Sequence, residues 1–371
     1  MKARKSNLIV LLGIASSFAI SSCSEKQDMQ PSTQVMESKS DHQVVNGRLV
    51  FADQKAFERT ISNLEGILAG KSSAEKLDAW ESNLNFVSLR KSSLKESSHL
   101  EELDLQGREA PSYELMSKFG FPTDYATIIN PKGEYQIGSK IYWFDNGFKY
   151  EVSSDEELVL IKADPSLANI KYQAGSKFVE LNNKNTKAQT QNYDLTYANN
   201  NPYCDDKYVT PTFFYKGDSG SKRRIIYGIS VYTEDLGYNP GPIIQRSFNT
   251  ALILRIKYEY LSGRKNKWYP QQNEPFTWAV NFTASGGPSV PYPAPGGSSG
   301  MPLGYQNQSE TYSNGLKDIV LGRSYVVGLA TGIVDTFPND VTWTFTINGS
   351  ITGYPTQDIA NKYTVNGNDI W

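Results

Sequence analysis

Few side chains in this chain have the type and spacing for chemistry. Gly217-Asp218-Ser219-Gly220 sets a serine between two glycines, a setting in which a hydroxyl can act as a nucleophile. That reaction needs an imidazole within hydrogen-bond reach of the serine. The chain has only two histidines, His42 and His99, both far from Ser219 in the sequence, so the tetrapeptide reads as a turn between strands. The same scarcity removes most zinc patterns and Cys-His nucleophiles. No Asp-x-Asp-x-Asp-Gly calcium loop and no Gly-x-x-x-x-Gly-Lys phosphate loop is present. Paired carboxylates could hydrolyse a glycoside, but none of the 39 acids stands in a local motif, and Asp205, Asp206 and Asp235 read as solvated acids near strand ends. The expectation is no catalytic residue, no metal and no cofactor.

Aromatic side chains offer more. With 23 Tyr, 16 Phe and 6 Trp, many rings must lie at strand surfaces and in loops. Tyr238, Trp268, Tyr269, Tyr292, Tyr305, Tyr312 and Trp371 fall in or beside turn-rich segments. A sugar presents an apolar C–H face that stacks on an indole or phenol, while Asn, Gln and Asp read its hydroxyls. Trp268, Tyr269 and Tyr292 could share such a surface, with Gln271, Gln272 and Asn273 beside it. The alternative is that these rings cover sheet ends or pack on the N-terminal half, a common use of amphipathic rings.

The elements that would position them change character along the chain. Asp53 is a helix N-cap, followed by Phe57, Ile61, Leu64 and Leu68 on one face and Gly70 at the end. A second helix starts at Ser73 with Leu77, Trp80 and Leu84, and a weaker helical pattern runs from Leu94 to Phe119. Asp145-Asn146-Gly147 joins the runs Tyr135 to Phe144 and Phe148 to Val152 as a hairpin. Residues 44–181 therefore read as an α+β module and 182–204, rich in Asn, Gln, Thr and Lys, as a linker. From 205 to 371 the period is two, with strands at Ile225–Thr233, Ala251–Leu261, Phe276–Thr283, Tyr325–Thr331 and Val341–Ile351. Gly286 to Tyr305, crowded with Pro and Gly, reads as a long exposed loop. The fold class expected is an α+β N-terminal module followed by an all-β C-terminal antiparallel sandwich.

Location is written at the N-terminus. Lys2, Arg4 and Lys5 precede an apolar run from Leu8 to Ile20, the pattern of a secretory signal over residues 1–22. Ile20-Ser21-Ser22-Cys23 resembles the lipobox of bacterial lipoproteins, which makes Cys23 the acylated attachment point and residues 23–43 a flexible tether. Removing the signal leaves 34 basic against 39 acidic side chains, a balance of −5 that gives nucleic acid no electrostatic footing. With Cys23 lipidated, Cys204 has no partner for an intrachain disulfide.

Gly47-Arg48-Leu49-Val50-Phe51, Trp80-Glu81, Phe86-Val87-Ser88-Leu89-Arg90 and Ile137-Gly138-Ser139-Lys140-Ile141-Tyr142 resemble segments of an uncharacterised Bacteroidetes outer-membrane lipoprotein family, a domain of unknown function. The resemblance covers about a third of the chain and rests on packing motifs. It implies an outer-membrane location, on the periplasmic side or the cell surface, and no activity. The partners expected are the membrane through the lipid anchor and a glycan or an envelope protein. A structural or adhesion subunit of the envelope and a carboxylate-dependent hydrolase are the alternatives.

Overall fold

The computed structural model describes residues 41–70, 72–178, 191–193, 208–217, 220–239, 245–289, 303–312, 315–329 and 342–366. The described residues begin with the hairpin β1 (His42–Val45) and β2 (Arg48–Phe51), turned by Asn46 and Gly47 at positive φ. Helix α1 (Gln54–Ala69) begins where expected: the Asp53 carboxylate accepts from the Ala56 amide at 2.8 Å, and Gly70 caps the other end. Its buried face is Phe57, Ile61 and Leu64. Five further helices follow: α2 (Ser73–Asn83), α3 (Leu89–Ser97), α4 (Leu100–Leu105), α5 (Pro111–Phe119) and α6 (Thr123–Ile128).

Strands β3 (Glu134–Ile137), β4 (Lys140–Asp145) and β5 (Phe148–Val152) complete an antiparallel meander. The Tyr135 to Phe144 run is thus two strands, because Gly138 at positive φ folds it back on itself. Asn146 and Gly147, both at positive φ, form the expected turn between β4 and β5. Helix α7 (Asp155–Ala163), capped by Ser154, leads into β6 (Ile170–Phe178).

The C-terminal half is antiparallel sheet. Short strands β7 (Gln191–Tyr193), β8 (Tyr208–Val209) and β9 (Phe213–Phe214) precede β10 (Lys222–Asn239), β11 (Gln245–Leu261), β12 (Trp268–Pro270), β13 (Phe276–Ser289), β14 (Leu303–Tyr312), β15 (Leu316–Leu329), β16 (Thr342–Pro355) and β17 (Tyr363–Asn366). Among the described residues, part of the stretch expected as a linker is strand, since β7 pairs with β16. The expected loop from Gly286 to Tyr305 is also shorter, because Gly286–Ser289 continues β13 and β14 begins at Leu303. Pro288 stands there opposite Trp343 of β16. The strand expected at Tyr325–Thr331 starts nine residues earlier, at Leu316, through a stretch in which Ile319, Val320 and Leu321 are consecutive and so break the alternation.

One twelve-stranded sheet runs β1-β2-β3-β4-β5-β6-β10-β11-β12, with β15 on β11 and β8 and β9 on β10. All its pairs are antiparallel except β2 with β3. The two halves of the chain share this sheet: β6 pairs with β10 from Phe178 opposite Ser230 to Ala174 opposite Glu234. The second sheet holds β14, β13, β16 and β17, with β7 beside β16.

Strands β10 and β11 are buried on both faces. Tyr232, Ala251 and Ile253 pack with Phe51, Phe57, Leu64, Phe121 and Tyr125 under the helices. Ile229, Leu252, Leu254 and Ile256 pack with Trp278, Val280, Phe282 and Ile351 of the second sheet. Each such aliphatic side chain contributes about 1.5–3 kcal/mol on burial, so the strands join helices and second sheet through their own side chains. A smaller core of Ile141, Trp143, Tyr150 and Val152 lies under Leu158 and Ile161 of α7.

Candidate functional site

The β11–β12 hairpin carries two of the three rings singled out from sequence. Its turn is closed by the Ser262 amide donating to the Lys267 carbonyl at 2.8 Å and the Asn266 amide donating to Ser262 at 2.9 Å, with Asn266 at positive φ. Register places Tyr269 opposite Tyr260 and Trp268 opposite Leu261, so alternation sends the neighbouring rings Trp268 and Tyr269 to opposite faces.

On the first face, the Tyr260 and Tyr269 rings lie 5.9 Å apart and meet helix α4. The Tyr260 hydroxyl and the Ser262 hydroxyl donate to Glu101 at 2.7 and 2.6 Å. The Tyr269 hydroxyl donates to Asp104 at 2.6 Å, and Lys267 approaches the same carboxylate at 3.4 Å. Glu101 and Asp104 are three residues apart on one helix, which places both carboxylates on one side of it. The Ser262 and Tyr260 hydroxyls lower the Glu101 carboxyl, and the Tyr269 hydroxyl lowers that of Asp104. Burial and the Asp104 bond push the Tyr269 phenol up, so it stays a donor. Tyr269 is only 7% exposed, and its ring clasps helix to hairpin.

The second face is more open. Trp268 is half-buried, and the Arg224 guanidinium lies 4.2 Å from its ring centroid. Arg224 is held by Glu259, whose carboxylate accepts from Nε at 2.8 Å and lies 2.7 Å from Nη2. An indole, a guanidinium and a carboxylate from three neighbouring strands therefore stand together on one sheet face. Such a group can stack on a flat apolar face while offering donors and acceptors at its rim.

The polar neighbours expected to assist are occupied within the chain. Gln271 is buried and accepts from the Asn273 amide, and Gln272 donates to Ser97. Tyr292, Trp371, Ser219, Cys204 and Cys23 lie outside the described residues, as do Asp205 and Asp206. Tyr238, Tyr305 and Tyr312 lie in strands β10 and β14. Asp235 is ion-paired with Arg246. Sequence reading missed Glu101, Asp104 and Arg224. The i, i+3 acids on a short helix were visible, but their partners stand about 160 residues away.

Buried acids elsewhere are held by cations: Glu81 by Arg90, Asp124 by Arg323, Glu134 by Lys162, Glu234 by Lys149 and Asp318 by Arg255. Among the described residues no group of three His, Cys, Asp or Glu gathers for a metal ion, and no helix is long and apolar enough to cross a membrane.

No protein-family model and no curated protein matches the chain. Among solved structures, a DUF4848 family protein from Bacteroides thetaiotaomicron is matched at 11% identity over 87% of this chain and 98% of that one, with a TM-score of 0.21. A likeness that distant carries no argument about fold or function.

Proposed function

We propose that the chain is a non-catalytic binding lipoprotein, anchored through Cys23 in the outer membrane, that recognises a glycan with the Trp268 face of the β11–β12 hairpin. We read the C-terminal strands of the long sheet, packed on the second sheet, as a β-sandwich that presents this hairpin. The observation that carries the reading is the Arg224–Trp268 stack beside Glu259, which sets a ring and two charged readers on one sheet face. The reading departs from a three-ring platform, because the Tyr269 ring is spent on the clasp to α4. The cations on the buried acids favour binding over hydrolysis, since an acid that must exchange a proton with substrate is ill served by a fixed ion pair.

Titration of the parent and of Trp268→Ala against an array of surface polysaccharides tests this. Loss of a stacking ring should weaken binding by about 1–3 kcal/mol with little change in melting temperature. No glycan binding by the parent, or equal binding by the variant, refutes the reading.

A further inference from the structure

Beyond the β11–β12 hairpin, a cleft opens between the helices and the start of β15. The empty space amounts to ≈ 550 Å³ including its open mouth. Leu77 of α2, Leu94 of α3, Met116 of α5 and Leu316 of β15 form apolar wall. Arg90 and Ser93 of α3, Thr123 at the start of α6, and Lys317 and Asp318 of β15 supply the polar part.

The polar groups divide by what they can still offer. Asp318 is saturated: Arg255 donates to both its oxygens, at 2.7 and 2.8 Å. It therefore presents little to a cation. Arg90 is 6% exposed and is fixed by Glu81 and Asp78 through Nε and Nη2. Among the described residues no acceptor meets its Nη1. Lys317 places its ammonium 5.3 Å from the Trp278 ring centroid and 3.4 Å from the Ser73 hydroxyl. The Ser93 and Thr123 hydroxyls add rotatable donors. A rigid guanidinium edge with a second cation in an apolar cleft suits a planar anion with a short hydrocarbon body. Charge-assisted bonds to a carboxylate are strongest where water is partly excluded.

We propose that this cleft binds a short-chain fatty carboxylate, its head on Arg90 Nη1 and its chain against Leu77, Leu94 and Met116. The site is separate from the Trp268 face, and either can fail without the other.

Calorimetric titration of the full chain with hexanoate and with 1-hexanol tests the head and the tail together. Hexanoate should bind at least about ten-fold more tightly than hexanol, the factor that 1.4 kcal/mol corresponds to, and the preference should narrow as salt is raised. Leu94→Trp, which fills the cleft from a partly exposed wall, should weaken hexanoate at least ten-fold in turn. Equal binding of acid and alcohol overturns the carboxylate assignment. Undiminished binding by a folded Leu94→Trp, or no binding by the parent up to about 10 mM, overturns the site. Should Leu94→Trp fail to fold, hydrogen exchange of the parent decides. Hexanoate-induced protection in α2, α3 and the start of β15 upholds the site, and protection only elsewhere refutes it.

Discussion

Arg323→Met should be the most damaging single charge substitution at the join between helices and sheet. Arg323 rises from β15 with its side chain only 7% exposed and makes three connections. Nε donates to Glu65 of α1 at 2.6 Å, Nη2 donates to Asp124 of α6, and Nη1 reaches Asn249 of β11 at 3.4 Å. Asp124 is fully buried, and its second carboxylate oxygen has no hydrogen-bond partner. Methionine approximates the volume of the arginine stem, so packing changes little and the loss is electrostatic. Breaking a buried pair by removing one partner costs about 3–5 kcal/mol. Glu65, a third exposed, adds little to that figure because solvent screens it.

Burial raises the Glu65 carboxyl above its ordinary value of 4.5, and Arg323 opposes that rise. Without the arginine the folded value climbs further. A raised folded value means stability that is present below the unfolded value and lost as pH rises through the folded one. The deficit of Arg323→Met relative to parent should therefore be larger at pH 7 than near pH 4.5. Urea unfolding followed by circular dichroism at the two pH values measures it. A deficit below about 0.5 kcal/mol at pH 7, the range of ordinary surface substitutions, would refute the argument that this cluster fastens the helices to β15.

Three further outcomes follow from single positions. Gly349 lies in β16 at φ +125°, where a Cβ would overlap the Asn281 carbonyl and stand 2.7 Å from the Phe282 Cα, so Gly349→Ala should lower the unfolding free energy, measured by urea titration, by more than the roughly 1 kcal/mol of a simple conformational clash. His42 packs 5.5 Å from Trp80 and 6.0 Å from Phe51, and burial lowers its imidazole below 6.5. A depressed folded value means stability that is present above 6.5 and lost as pH falls through the folded one. Protection factors of the β1 amides, corrected for the slower intrinsic exchange at low pH, should therefore fall in mild acid in the parent and stay flatter in His42→Gln. Cys23→Ser should move the protein from the membrane to the soluble fraction and abolish labelling by a fatty-acid probe, and unchanged fractionation would refute the anchor.

Local signals survived translation into structure where their causes were local. Asp53 and Gly70 bound α1 because a cap is a contact within four residues. Asn146 and Gly147 turn β4 into β5 because both accept positive φ. Alternation at Leu252, Leu254 and Ile256 marked a buried face of β11. The opposite face, with Ala251 and Ile253, read as ordinary alternation because nothing nearby shows that helices cover it. Arg255 on that face is charged, yet it is buried against Asp318, 63 residues away.

The candidate site followed the same rule with a sharper consequence. Trp268 and Tyr269 are adjacent, aromatic and turn-flanked, and nothing within ten residues distinguishes them. Register separates them: one phenol points to α4 and is committed to Asp104, while the indole meets Arg224 across the ladder. Tyr269→Phe removes only the hydroxyl that reaches Asp104 and leaves the ring in place. It should loosen α4, seen as faster amide exchange in Leu100–Leu105, without touching glycan affinity, because the Trp268 face rests on Arg224 and Glu259 instead. If Tyr269→Phe weakened glycan binding as much as Trp268→Ala while α4 stayed protected, the assignment of the two rings to different tasks would be wrong, and a shared stacking surface would have to replace it.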